Sequence, residues 1–348
     1  MASVRWLLLA LIAAITLLGI ACTPRAIDAT QLGLDLAAGP RLNAAAVAAR
    51  QPVRYAIEGR NIEADLYRAR RREPEGALVL IAGADRIGKD HPQFIAFASA
   101  LANAGFTVLV PDIVNLRALR IRRGDEVLVA DAVQWLAEQE GRKVALVGVS
   151  YALGPAMLAA IEPRVSDRVS FVLGIGGFYD LGRVVAGLRN PYGKWLFAAA
   201  NSDAIDDPVD RTTIAAIAAR KIANLDADVT DLFNELGPQG RAVYALLDAV
   251  DPSRADELVA ALPPKLRDEI NGLTLKGRDL SGLKAPLLLV HGADDPLIAP
   301  QESKALAAAM GDKAQLYLID RMRHVELAGD LDDMLKLWWI CWQVVGLP

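Results

Sequence analysis

Lys143-Val144-Ala145-Leu146-Val147-Gly148-Val149-Ser150-Tyr151-Ala152-Leu153-Gly154 is the stretch that decides the fold. Its first half is a continuous apolar run, as expected of a strand covered on both faces in a parallel sheet. Its second half opens an Ala/Leu-rich segment that reads as a helix. Ser150 stands between them, at the apex of a sharp strand-to-helix turn. Such a turn lifts a serine hydroxyl clear of the sheet and sets helix-start N–H groups beside it.

The same alternation repeats outward from this stretch. Ala77 to Ala82, Thr107 to Val110, Val169 to Ile175, Pro286 to His291 and Gln315 to Ile319 are apolar strand patterns. His91 to Ala104, Asp125 to Glu140, Gln301 to Met310 and Leu331 to Val345 read as helices. Tyr55 to Glu58 and Ile62 to Tyr67 predict a hairpin turned at Gly59-Arg60-Asn61. Strands alternating with helices predict an α/β protein with a doubly wound, mostly parallel sheet, ligands binding at the carboxyl ends of the strands. Between Gly182 and Leu283 the alternation gives way to short helical patterns. Asp207-Pro208 and Asp251-Pro252 each set an N-cap before Pro at the first helical position, and Pro263-Pro264 starts another helix.

Composition narrows the class. The 348 residues are 53% hydrophobic and 23% charged, which is globular rather than disordered. A net charge of −4 argues against nucleic acid as a partner, since that task needs a clustered positive field. The arginine clusters at 68–72 and 117–123 read as solvated loops and helix ends, or as contacts to anionic lipid head groups. With two cysteines, Cys22 and Cys341, and no clustered Cys/His spacing, neither a disulfide framework nor a metal site is expected. Cys341 reads as a small buried apolar side chain. Trp338 and Trp342 share a helix face, for core packing or for a membrane-facing aromatic patch.

The N-terminus has its own pattern. Arg5 precedes an apolar run from Trp6 to Ala21, shorter than the roughly 20 residues a spanning helix needs and suited to a signal-peptide core. Leu18-Gly19-Ile20-Ala21-Cys22 resembles a bacterial lipobox, with Leu18 one place further from the cysteine than is usual. The resemblance implies a signal peptide over 1–22, lipidation of Cys22, a partly helical tether over 23–51, and a periplasm-facing protein held on a membrane of the bacterial cell envelope. Thr23 stands where an inner-membrane retention signal often has Asp, which favours the outer membrane.

Chemistry enters downstream of Ser150. A serine hydroxyl needs an adjacent base, histidine suits that role, and a buried carboxylate fixes the imidazole tautomer. Further along the chain stand His291-Gly292-Ala293-Asp294-Asp295-Pro296 and then Arg323-His324-Val325-Glu326. Ser, then Asp, then His is the chain order of the α/β-hydrolase triad, and the chain resembles that family over about residues 52 to 346. The resemblance implies a core built from 52–181 and 284–348 with a helical cap at 182–283. It implies Ser150 as nucleophile, His324 as base and Asp295 as acid, with Asp180 and Asp294 as rival acids. Backbone N–H groups of Tyr151 and Ala84, or Asp85 in place of Ala84, would form the oxyanion hole. His291 and His91 are expected in structural roles.

The implied reaction is hydrolysis of a carboxylic ester of a small or medium acyl group through an acyl-enzyme, with no cofactor and no metal. The partner would then be a small-molecule ester or acyl substrate. Thioesterase, amidase, lactonase and acyltransferase chemistry use the same triad. The chain departs from the family pattern at Ala152, where glycine is usual, at Pro155, and at Ala82-Gly83, where His-Gly is common. Those departures keep open a non-catalytic binding or assembly lipoprotein on the same fold.

Overall fold

The central apolar runs become strands covered on both faces, whereas the last strand, Ala314–Ile319, is only partly buried. The structure is a computed structural model that describes residues 23–38, 48–70, 72–324, 326–327 and 331–347. The signal-peptide stretch and Cys22 lie outside the described residues.

Pro24–Ala38 forms α1, with Pro24 at the first helical position and the Thr23 hydroxyl accepting from the Ala26 N–H at 3.3 Å. β1 (Ala49–Ile57) and β2 (Arg60–Arg68) make the hairpin. Its turn is Glu58-Gly59, both at positive φ, the two-residue geometry whose twist matches the strands. The turn expected at Gly59-Arg60-Asn61 is thus displaced, because Arg60 already pairs with Ile57. β3 (Gly76–Ile81) leads through the Ala84 loop to α2 (Pro92–Asn103). β4 (Phe106–Pro111), the short α3 (Val114–Arg117), α4 (Asp125–Glu140), β5 (Val144–Val149), α5 (Leu153–Ile161) and β6 (Val169–Ile175) follow.

An all-helical stretch then delays the next strand. It comprises α6 (Leu181–Gly187), α7 (Pro191–Asn201), α8 (Pro208–Ala223), α9 (Thr230–Glu235), α10 (Pro238–Asp248), α11 (Ala255–Ala260) and α12 (Pro264–Leu273). Asp207 caps α8 by accepting from the Val209 and Asp210 N–H groups, both at 2.9 Å. Asp251 likewise accepts from Ser253 N–H at 2.8 Å. The chain returns to the sheet as β7 (Leu287–Gly292), α13 (Gln301–Met310) and β8 (Ala314–Ile319). A small antiparallel pair, β9 (Met322–Arg323) and β10 (Glu326–Leu327), precedes α14 (Leu331–Val344).

The eight strands lie in the order β1-β2-β4-β3-β5-β6-β7-β8, parallel from β4 onward, with β2 antiparallel to β4. Alternate residues of each central strand enter different cores. Val79 and Ile81 of β3 pack with α4, α5 and the helical stretch, whereas Leu78 and Leu80 pack with α1, α2 and α14. This two-sided burial is why the strands read as unbroken apolar runs rather than alternating ones.

Residues 23–51, expected as a partly helical tether, contain the helix α1, and it is docked on the core. α1 buries Ala26, Ala29 and Leu32, and lies against α14. The Trp338 indole N–H donates to Thr30 Oγ1 at 2.9 Å, and the Arg25 guanidinium lies 4.6 Å from the centre of the Trp342 ring. The two tryptophans therefore pack on α1, their rings 5.4 Å apart. Cys341, between them, is buried, and that burial pushes its thiol up to about 12. No helix among the described residues is long and apolar enough to cross a membrane.

Candidate active site

The turn after β5 is built by close approach. A Cβ at Gly148 would lie 2.8 Å from Leu153 Cα and 2.9 Å from the Ala152 carbonyl oxygen, so only glycine lets the helix rise this sharply off the strand. Ser150 adopts a left-handed backbone, φ +56°, of the kind that costs a non-glycine residue about 1–3 kcal/mol. One turn of 3-10 helix, Ser150–Ala152, joins it to α5. Ala152 is fully buried without displacing its neighbours, and Pro155 falls in the first turn of α5, where a missing N–H is tolerated. The two departures from the family pattern are thus accommodated locally.

His324 reaches Ser150 from the far end of the chain. It occupies the tight turn between β9 and β10, also at φ +56°. Its Nε2 is 2.9 Å from Ser150 Oγ and its Nδ1 is 2.8 Å from Asp295 Oδ2. A carboxylate only accepts, so Nδ1 carries the proton and Nε2 presents its lone pair to the serine hydroxyl. Gly176, at φ +61°, gives the ring its room: a Cβ there would stand 3.3 Å from Nδ1.

Asp295 is held in turn. Its Oδ1 accepts from the Leu297 and Ile298 N–H groups at 2.8 and 3.0 Å. Burial opposes its ionisation, but hydrogen bonds from His291, His324 and the Leu297 N–H outweigh it and hold the carboxyl well below the usual carboxylate range. His291 is fully buried, with Nδ1 2.7 Å from Ser303 Oγ. Its Nε2 lies 2.9 Å from the Ile298 carbonyl and 3.4 Å from Asp295 Oδ2. A carbonyl only accepts, so Nε2 carries the proton and faces the carboxylate. His291 is the buried turn residue the sequence suggests, and it also touches the acid, a contact the sequence does not reveal.

The rival acids lie elsewhere. Asp180 caps α6 by accepting from Arg183 N–H at 3.2 Å and pairs with Lys276 Nζ at 2.9 Å. Glu302 fixes that segment by accepting from the Tyr179 and Asp180 N–H groups at 3.1 and 2.8 Å. Asp294 is exposed. His91 caps α2, its Nδ1 accepting from Gln93 N–H at 3.3 Å. Neither Asp180, Asp294 nor His91 is bonded to His324. The loop carrying Ala84 runs against the serine turn, where a Cβ at Gly83 would sit 3.2 Å from Ser150 Cβ. Ala84 and Tyr151 both border the cavity onto which Ser150 and His324 open, as does Asp85.

That cavity, of about 850 Å³, is lined by residues of the helical insertion together with residues of α1, α2 and α14. Leu181, Val184, Leu188 and Phe197 line it from the insertion, and Leu36, Phe97 and Ile340 from α1, α2 and α14. Lys194 also lines it, and its buried ammonium is tied to the Ala186 and Ala249 carbonyls. Burial lowers the lysine pKa against a weaker opposing pull from Asp248. The sequence gives no sign of this role, because Lys194 stands in an ordinary amphipathic helix.

No protein-family model matches the sequence, and no curated protein matches it. Solved structures do. A puromycin-hydrolysing peptidase from Mycobacterium tuberculosis superposes with a TM-score of 0.51 at 14% identity, over 88% of this chain and 39% of that one. The chain thus spans about two fifths of that peptidase. An α/β-hydrolase from Penicillium sp. sh18 gives 0.49 at 15% identity, over 85% and 98%. The esterase domain of a Rhodothermus marinus protein gives 0.46 at 18%, over 86% and 97%. The mostly parallel eight-stranded sheet, in the order β1-β2-β4-β3-β5-β6-β7-β8 and interrupted by a helical insertion before β7, has the α/β-hydrolase arrangement, and the peptidase is the structure among these that superposes above 0.5.

Proposed function

We propose that the chain is a serine hydrolase that cleaves carboxylic esters through a Ser150–His324–Asp295 triad. The observation that carries this reading is the pair of hydrogen bonds joining Ser150 Oγ to His324 Nε2 and His324 Nδ1 to Asp295 Oδ2, on a serine held in the left-handed region. Ser150 Oγ attacks the ester carbonyl carbon while its proton passes to His324 Nε2. The oxyanion takes hydrogen bonds from the Tyr151 and Ala84 N–H groups. His324 then protonates the departing alkoxide, leaving an acyl-Ser150. Water attacks that ester with His324 again as base, releasing the acid and the free serine. Asp295 stays ionised throughout, fixes the tautomer and stabilises the imidazolium.

An ester is favoured over more polar substrates by the lining, which is mainly aliphatic and aromatic. At about 30 Å³ per water, 850 Å³ corresponds to roughly 28 water molecules, which extends the expected acyl group beyond the small or medium size. The helical insertion at 182–283 acts as a cap that walls the pocket from water. We also propose that Cys22 carries the lipid anchor, placing the enzyme on the periplasmic side of a bacterial envelope membrane. Acylation of Cys22, read by mass spectrometry of membrane fractions, checks that part.

The hydrolase reading is tested with Asp295→Asn. The amide should lower kcat on p-nitrophenyl esters by up to about ten-thousandfold with circular dichroism unchanged. Full activity in Asp295→Asn with loss in Asp180→Asn would move the acid to the end of β6. A folded wild type that turns over no ester, thioester, amide or lactone would favour the binding-protein reading.

A further inference from the structure

Among the described residues, the exposed positions of α1 carry no charge: they are Pro24, Ile27, Thr30, Gln31, Leu34 and Ala37. Ile27 and Leu34, two helical turns apart and so on one face, are 58% and 56% exposed. The charged residues of the helix are engaged or buried. Arg25 donates to the Trp342 carbonyl at 2.8 Å, Asp28 pairs with Arg72 at 2.5 Å, and Asp35 is buried. α14 continues the same face. The contacts of Arg25 with Trp342 and of Thr30 with Trp338 set the two helices antiparallel, which brings Leu34 toward Met334 and Leu335 one turn further on. Leu335 is 61% exposed, and Trp339, one turn along on its side of the helix, is 48% exposed. Charge returns at the start of α14, where Lys336 pairs with Asp332 and Asp320. A contiguous apolar face rimmed by polar groups marks a surface that another body covers.

We propose that this face of α1 and α14 docks on the phospholipid surface of the membrane, with Leu335 and Trp339 entering the head-group layer. The inference rests on the lipid-anchor reading for what brings the chain to a membrane, and owes nothing to the triad. Cys22, the proposed anchor, stands two residues before Pro24, and two residues reach at most about 7 Å. An anchor that short holds the start of α1 against the lipid. The helix has 15 residues and a length of about 22 Å, and it either lies along that surface or stands up from it. Lying down covers Ile27, Leu34, Leu335 and Trp339 together, whereas standing leaves most of them in water. Tryptophan suits the boundary, since its ring is apolar and its N–H is polar. A second copy of the chain would have to draw this face away from the lipid to which α1 is tied. Leu32 of α1 and Leu337 and Ile340 of α14, on the buried side of the same helices, line the cavity that Ser150 borders. Docking therefore sets this helix pair between the lipid and the cavity.

The test puts the photoreactive residue p-benzoylphenylalanine into the full chain in place of Leu335 or Trp339. Val209 and Val250, which are exposed in the helical insertion, are replaced in the same way as controls. Each chain, its fold checked by circular dichroism, is reconstituted into vesicles of phosphatidylethanolamine and phosphatidylglycerol, floated and irradiated. Mass spectrometry should find a phospholipid joined to the chain at both α14 positions and at neither control position. A chain that floats with the vesicles, yet joins lipid no more at the α14 positions than at the controls, overturns the inference and leaves the anchor standing. Joining of two protein chains through the α14 positions, in place of lipid, overturns it in favour of a second copy. Lipid adducts at both α14 positions in a chain whose Cys22 proves unacylated sustain the face and end the anchor reading. A chain that does not float with the vesicles ends both.

Discussion

Ser150 and His324 both adopt φ +56°, a backbone that favours glycine, and the surrounding residues hold them there. Gly148 and Gly176 leave the space that each strained turn requires. Three side-chain positions are legible in the sequence, because Ser150, Asp295 and His324 each follow an apolar strand and fall in one chain order. Choosing Asp295 over Asp180 needs coordinates, since both carboxylates follow strand ends. The structure commits Asp180 to Lys276 and the start of α6. His291 is half legible: its burial can be read, its contact with Asp295 four residues on cannot. His291→Leu would leave the Ser303 hydroxyl and the Ile298 carbonyl unpaired, and should cost about 1–3 kcal/mol in chemical denaturation. It should also let the Asp295 carboxyl titrate higher. That depressed carboxyl contributes stability above the ordinary carboxylate pKa, lost as pH falls through its lower folded value. Acid unfolding of His291→Leu should therefore begin at higher pH than in wild type, and an unchanged acid midpoint would show that His291 does not support Asp295.

Elements covered on both faces are the easiest to read. β3, β5, β6 and β7 are near-continuous apolar runs because α4 and α5 cover one face and α1, α2 and α14 the other. Helices with a Pro start and an Asp cap are also plain, α8 among them. Asp207→Ala removes both of its capping bonds and should lower stability by about 1 kcal/mol, read as a shift of the urea midpoint at constant slope. No shift would mean that Gln239, whose side chain also bonds the Asp207 N–H, holds that start unaided. The docking of α1 is hidden for a physical reason. Its partner residues, Trp338 and Trp342, lie at the other end of the chain, and a short Ala-rich helix has no pattern that distinguishes a tether from a docked element. The hairpin turn falls earlier than its glycine suggests because Glu58 at positive φ has no signature in its residue type.

At the scale of the molecule, the helical insertion between β6 and β7 meets the segment that enters α4. Asn201 of α7 accepts from the Ile121 N–H at 2.8 Å, and Glu269 of α12 accepts from the Arg123 N–H at 2.6 Å. Asp125, at the same junction, is buried, and that burial pushes its carboxyl up to about 6 against the opposing hydrogen bond from Asn115. The folded state therefore favours the protonated acid. This group's contribution is full below the ordinary value of 3.8 and is lost as pH rises through about 6. The displacement corresponds to roughly 3 kcal/mol. Asp125→Asn should be more stable than wild type at pH 7, and the advantage should shrink toward pH 4. An advantage that does not change with pH would contradict the assignment. Leu119 and Ile121 of the same junction line the cavity, as do Leu32 and Leu36 of α1 and Ser150 itself. The most direct measurement is therefore made at that serine: labelling of folded wild type and folded Ser150→Ala with a fluorophosphonate, followed by peptide mapping. A triad at work predicts one label, on Ser150, absent from the variant. Folded wild type that takes no label, or a label that persists in Ser150→Ala, would contradict it.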